Sequence, residues 1–267
     1  MPSVTLGSVT ATILSIVIAS ILLDRRSIKE YGFHITRRGW WADLGFGLFL
    51  GAFLMLLIFS VEWLTGLITI KGVFKTDNNN LGFAREAVQS LFIFIGVGIY
   101  EEMIFRGYLL KNLAEGFFHP RWGYRGATLG AYLLSSIAFG VLHAANPNAT
   151  LLSTINIIAA GIFLGLGFVL TGDLSLPIGL HITWNLFQGT VFGFPVSGST
   201  PGVSVFYIHQ NGPEWLSGGS FGPEGGLIGV VAILLGILLI IGWVRVIHQR
   251  LQLQESLAIY KKSFQKP

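Results

Sequence analysis

The sequence predicts an all-α polytopic membrane protein, a bundle of about seven transmembrane helices. Three observations carry this. Of the 267 residues 52% are hydrophobic and only 11% charged, with a mean hydropathy of +0.67, whereas a soluble domain carries about 25% charged residues. The apolar stretches are continuous rather than alternating, which suits helices and not a transmembrane barrel. The chain has no cysteine, which excludes disulfides, thiolate metal sites and a cysteine nucleophile. A net charge of +4 raises nucleic-acid binding as a possibility. The basic residues sit beside the apolar runs, however, where they set topology and meet anionic lipid, so the expected partner is the bilayer and not nucleic acid.

Seven apolar runs follow one another at residues 4–23, 44–61, 89–110, 127–145, 152–171, 174–192 and 227–244. The first lacks a basic n-region and reads as a span rather than a cleaved signal peptide. The loop after it carries Arg25, Arg26, Lys29, Arg37 and Arg38 and ends in Trp40-Trp41, suited to the headgroup boundary. Segment 62–88 is polar (Asp77-Asn78-Asn79-Asn80) with room for a short amphipathic piece. Segment 193–226 is rich in Gly, Pro and Ser and has no Lys or Arg. Such a stretch cannot pack a core of its own and reads as a connector rather than a mobile cover. Beyond Trp243, apolar Val244, Ile247 and Leu251 alternate with Arg245 and Arg250, the pattern of an interfacial helix. The chain thus divides into two N-terminal spans with their connecting segment (1–88), a core (89–196), a Gly/Pro/Ser-rich loop (197–226) and a last span with a basic tail (227–267).

Basic residues set the orientation. With the N-terminus outside and the C-terminus cytoplasmic, thirteen Lys and Arg face the cytoplasm, including Lys111, Arg121, Arg125, Lys261, Lys262 and Lys266. Only Lys71, Lys75 and Arg85 then lie outside, in accord with the positive-inside rule.

The third run holds Glu101-Glu102-Met103-Ile104-Phe105-Arg106. A charge at bilayer depth costs a few kcal/mol or more and marks function by default. Glu102 and Arg106 are four apart and can pair on one helix face. Glu101 points about 100° away, which leaves it as the free carboxylate, facing elsewhere in the bundle while Glu102 does not. Gly96 and Gly98 before it allow close helix approach. The fourth run supplies His143 and the sixth supplies His181 and Asn185, four apart on one face. At 1.5 Å per residue, His143 falls roughly 10 Å from the depth of Glu101, so their proximity is an expectation that a tilted or displaced helix must satisfy. His34, His119, His209 and His248 fall in loops or the tail and are expected to be solvated, and Tyr100 and Trp184 read as packing residues.

Two chemistries suit this set. Glu101 with His143 can activate a water while His181 and Asn185 donate to the oxyanion formed at an amide carbonyl. Alternatively Glu101, His143 and His181 bind Zn²⁺. The metal-free reading fits better, because there is no His-Glu-x-x-His helix and Asn185 would be an unusual ligand. Taken singly, His143 reads as an interhelical hydrogen-bond partner and Glu102–Arg106 as a structural pair. A proton-coupled carrier also uses Glu, His and Arg, but no internal repeat is present.

With these residues in place, the chain resembles the CPBP family of intramembrane proteases, which includes type II CAAX prenyl endopeptidases and bacteriocin-processing or immunity-associated relatives. Its three motifs read in order as Glu101-Glu102-Met103-Ile104-Phe105-Arg106, Phe139-Gly140-Val141-Leu142-His143 and His181-Ile182-Thr183-Trp184-Asn185. The resemblance spans about residues 90–196. It implies a helical membrane endopeptidase acting on a membrane-associated or lipid-modified peptide or protein. Glu101 and His143 would activate water, His181 and Asn185 would form the oxyanion hole, and Glu102 and Arg106 would shape the site. No cofactor is expected on this reading, with Zn²⁺ the alternative. A relative that binds a peptide without cutting it, as an immunity protein does, is the non-catalytic alternative.

Overall fold

The computed structural model describes residues 6–77 and 82–260. Asn78–Asn80 of the polar loop, and Lys261, Lys262 and Lys266 of the tail, lie outside the described residues. In chain order the elements are α1 (Leu6–Leu22), α2 (Arg38–Leu64), β1 (Ile68–Thr76), α3 (Phe83–Glu102), a π-helical stretch (Met103–Leu110), α4 (Lys111–Gly116), α5 (Gly123–His143) and α6 (Leu151–Thr171). They continue with α7 (Ser175–Asn185), a second π stretch (Leu186–Val191), β2 (Val203–Gln210), the one-turn α8 (Glu214–Ser217) and α9 (Leu227–Ile247). The chain is an all-α polytopic membrane bundle. Among the described residues, five helical segments are long and apolar enough to cross a membrane: α2, the continuous Phe83–Gly116, α5, α6 and α9. α1 is apolar but shorter.

α7 behaves differently. Every residue from Ser175 to Asn185 is buried, so this helix sits inside the bundle and meets lipid nowhere along its length. It can do so because its neighbours present glycine. A Cβ on Gly51 would stand 2.5 Å from the Leu180 carbonyl oxygen, and one on Gly179 would stand 2.4 Å from that of Leu44. The α2 and α7 backbones are therefore in direct contact, the close packing that small residues permit between membrane helices.

The two ends of the bundle differ. At one end the connections are drawn tight by polar contacts. Arg26, fully buried, pairs with Glu115. The Leu174 amide donates to the Gly32 carbonyl at 3.0 Å. The Gln254 amide donates to the Val169 carbonyl at 2.8 Å. His34 pairs with Asp173, and His248 lies 3.0 Å from the buried Asp43, to which Trp243 also donates. His34 and His248 are thus partnered rather than solvated, while His119 and His209 are exposed. Arg26, read from sequence as a topology signal, is also a buried structural cation.

The other end overturns two sequence expectations. The 62–88 segment forms β1, not an amphipathic piece, and it pairs antiparallel with β2 from within the Gly/Pro/Ser-rich segment, Ile68 opposite Gln210 and Thr76 opposite Val203. The 193–226 segment is therefore packed structure, not a plain connector. Phe194, Phe221, Ser217 and Glu224 are all buried in it. It folds without a large core of its own because it borrows one: Phe59 of α2 stacks on Phe192 at 4.4 Å and meets Phe206 of β2 at 5.3 Å. The tail is a third correction. α9 ends at Ile247, and residues 248–260 turn back under the bundle with Leu257 and Ala258 buried, rather than running on as an interfacial helix.

Candidate active site

Three helices converge where the sequence placed its polar groups. The Nε2 atoms of His143 at the end of α5 and His181 in α7 lie 4.0 and 3.8 Å from Glu101 Oε2. The depth mismatch disappears because the third span does not stop at Leu110. It continues to Gly116, six residues that add roughly 9 Å between Glu101 and the turn.

Each histidine is held by its other nitrogen. The Nδ1–H of His143 donates to the Phe139 carbonyl at 2.7 Å, and a carbonyl only accepts, so Nδ1 carries a proton and Nε2 is the nitrogen that faces Glu101. His181 Nδ1 lies 2.8 Å from Glu102 Oε1. The same Oε1 accepts from Arg106 Nη1 at 3.0 Å, and Arg106 Nη2 donates to the Gly161 carbonyl of α6 at 2.9 Å. Arg106 also lies over the Phe139 ring, 4.6 Å from its centroid, a cation–π contact. The first residue of the Phe-x-x-x-His motif therefore supports both Arg106 and His143.

This corrects the division made from the helical wheel. Glu102 was expected to face away from the histidines, yet it binds His181 directly. The 100° between the two carboxylates is spanned by the imidazole, whose two nitrogens face different ways: Nδ1 meets Glu102 and Nε2 points at Glu101. Close approach of α3 and α7 makes this possible, since a Cβ on Gly98 would lie 2.6 Å from Ile182 Cγ1. Two of the three motif helices pass into π geometry at the site, α3 after Glu102, with Arg106 inside the π stretch, and α7 after Asn185, as helices often do at functional sites.

The site opens into a cavity of about 250 Å³. Ile93, Phe94 and Val97 of α3 line it with Phe139, Ile157, Phe163, Leu164 and Trp184. Glu101, His143, His181 and Asn185 form its polar floor. Among the described residues the Asn185 amide has no hydrogen-bond partner. Such a mostly apolar pocket with a few convergent polar groups is the usual form of a ligand site.

Sequence reasoning missed two groups here. Tyr100 donates its hydroxyl to Glu101 Oε1 at 3.0 Å, orienting the carboxylate; an aromatic residue next to the motif glutamate is the only signal it offered. Glu224 lines the cavity from the far loop. It accepts from the Ser197 amide at 2.6 Å and from Gln188, and so fastens the Val196–Ser199 turn over the cavity. Burial pushes its carboxyl up to about 7, against the opposing effect of these hydrogen bonds. Its signal was one of only two acids, with Glu214, in a glycine-rich segment that has no Lys or Arg.

Residues 83–187 match the family model described as type II CAAX prenyl endopeptidase Rce1-like. Over this segment the chain is similar to the CPBP family of intramembrane proteases, to which that model points. All three CPBP motifs fall inside the matched region, on α3, α5 and α7. At family level the match supports a CAAX-type intramembrane endopeptidase, and the five membrane-length helices support an integral multi-pass membrane protein. No curated protein and no solved structure matches the chain significantly. The sequence left Zn²⁺ on Glu101, His143 and His181 as the alternative, so the fit to zinc matters. Tetrahedral zinc with bonds of about 2.0–2.1 Å would bring its ligand atoms about 3.3 Å apart. The 3.8 and 4.0 Å separations from Glu101 are wider, and among the described residues no three His, Asp or Glu side chains have the arrangement of a metal site.

Proposed function

We propose that the chain hydrolyses a peptide bond with a water activated by Glu101 and His143, without a metal. The observation that supports this best is the 4.0 Å gap between Glu101 Oε2 and His143 Nε2. With His143 as the neutral Nδ1–H tautomer and Glu101 as carboxylate, the two facing atoms are both acceptors, and one water spans such a gap by donating to each. Glu101 takes the proton as the water oxygen attacks the substrate carbonyl, and later delivers it to the leaving amine. His143, with Nδ1 committed to Phe139, orients the water.

The oxyanion falls to Asn185 and His181. Asn185 has free amide protons and faces the cavity. His181 can donate from Nε2 only as an imidazolium, because its Nδ1 proton is directed to Glu102. Charge balance supports that form. Glu101, Glu102 and Arg106 together carry one excess negative charge in a buried cluster, and a proton on His181 neutralises it. Glu102 and Arg106 then act as positioning residues. Preorganised donors of this kind are usually the largest single catalytic contribution.

The test is Glu101→Gln in the full chain, purified and reconstituted in lipid, with cleavage of a membrane-peptide reporter followed in the presence and absence of a chelator. The expected result is a loss of about 10²–10⁴-fold in kcat with unchanged melting temperature, and wild-type activity that survives the chelator. Unchanged kcat in Glu101→Gln would refute the mechanism, and abolition by the chelator would restore the zinc alternative. A binding or immunity protein would keep its full function in Glu101→Gln. The family match and the pocket's four convergent polar groups favour the enzyme.

A further inference from the structure

The cavity lies at one end of the bundle, and the basic residues lie at the other. Its cover comes from Val196–Pro201; α3 lines it from Ile93 to Glu101, in its half before the motif, α5 and α7 line it with their last residues (Phe139 and His143; His181 to Asn185), and α6 with its middle, Ile157 to Leu164. The loops at this end are 65–82, 144–150 and 192–226, and their only Lys and Arg are Lys71 and Lys75, with Arg85 following in the first turn of α3. The opposite end carries Arg25, Arg26, Lys29, Arg37, Arg38, Lys111, Arg121, Arg125, Arg245 and Arg250. It is also closed: the Arg106 contact to Gly161, the buried Leu110, Leu174 and Phe168, and the Arg26–Glu115 pair lie between the site and that surface. Positive charge is retained in the cytoplasm during insertion, so the basic end is cytoplasmic.

We infer that the cavity opens to the outer face of the membrane and takes as substrate a polypeptide that has already been exported. This rests on the peptidase reading above. The scissile bond must reach Glu101 from the side where the Val196–Ser199 turn and the β1–β2 hairpin stand. A substrate tail that stays in the cytoplasm would meet the closed, basic end. The class of reaction that supplies this substrate is export or membrane insertion of a precursor, and its product is a fragment released at the outer leaflet.

The absence of cysteine makes a direct test available. Single-cysteine variants Thr200→Cys and Lys71→Cys place a thiol at the cavity end, and Arg121→Cys and Arg250→Cys place one at the other; all four positions are exposed. A large membrane-impermeant maleimide, read as a gel shift, is expected to modify the first pair in intact cells and the second pair only in inverted vesicles. Ala160→Cys lines the cavity itself, and a small cationic thiosulfonate should modify it in intact cells. The reverse pattern, or modification of Ala160→Cys from the cytoplasmic side alone, would overturn the inference. Labelling does not depend on catalysis, so the two readings fail separately: a reversed pattern overturns outer-face delivery whatever Glu101→Gln does.

Discussion

Glu102 is the residue whose role changes most between sequence and structure, and its substitution makes the sharpest test. Its Oε1 accepts from Arg106 at 3.0 Å and lies 2.8 Å from His181 Nδ1, with the side chain fully buried. Glu102→Gln keeps the shape and one acceptor but removes the charge. Hydrogen bonds to charged groups contribute about 1.5–3 kcal/mol each. If the His181 bond falls to neutral strength and the imidazolium loses its counter-charge, about 2–3 kcal/mol of transition-state stabilisation disappears, a fall of roughly 30- to 160-fold in kcat/KM. The number alone does not separate this from general damage to the fold, so the assay is a double-mutant cycle with His181→Ala. His181→Ala should cost about 10²–10³-fold as an oxyanion donor. Because Glu102 acts through His181, the double variant should be no slower than His181→Ala. Reporter cleavage in reconstituted vesicles measures all four corners. Full multiplication of the two effects would refute the claim that Glu102 works by positioning His181.

Three further outcomes follow from single contacts. Tyr100→Phe removes the hydroxyl that orients Glu101 and should lower kcat about 10-fold, the kinetic equivalent of about 1.5 kcal/mol, the low end for a hydrogen bond to a charged group, while leaving KM unchanged; an unaltered kcat would make the contact incidental. Gly179→Ala puts a methyl 2.4 Å from the Leu44 carbonyl oxygen; it should destabilise the protein by about 1–3 kcal/mol, seen as a lower melting temperature, whereas Gly45→Ala on the open side of α2, where a Cβ meets nothing, serves as the neutral control. Glu224, with its carboxyl raised to about 7 from an ordinary value of 4.5, binds a proton more tightly folded than unfolded. Its contribution is fully present below the ordinary carboxyl range and is lost as pH rises through 7. Melting temperatures of the wild type should therefore drop between pH 5 and pH 8 relative to Glu224→Gln, and parallel curves would refute this.

Much of the fold was legible because membrane insertion writes itself into local sequence. A backbone that must satisfy its hydrogen bonds within each segment leaves continuous apolar runs, and each of the seven predicted runs contains a helix. The 193–226 segment was misread for a physical reason. Its composition has too little apolar surface to fold alone, and nothing local shows that Phe59, Phe192 and Phe206 supply the missing core. The tail was misread likewise. Its helical periodicity was real, but Gln254 caps the Leu170 carbonyl and Leu257 is buried, so contacts with α6 outweigh the local preference.

By itself the sequence determined that this is a helical membrane protein, which residues are too polar to be in a membrane without purpose, and, through three motifs in order, which family its residues 83–187 resemble. Those are properties of single segments and of spacing within one helix. The tertiary structure decided which atoms meet: that Glu102 as well as Glu101 reaches His181, that Tyr100 and Glu224 belong to the site, and that the cavity lies opposite the basic end. An imidazole with nitrogens on two sides, a π turn that shifts a helix face and a glycine that lets two backbones touch all act between segments, and spacing along one chain carries no record of them.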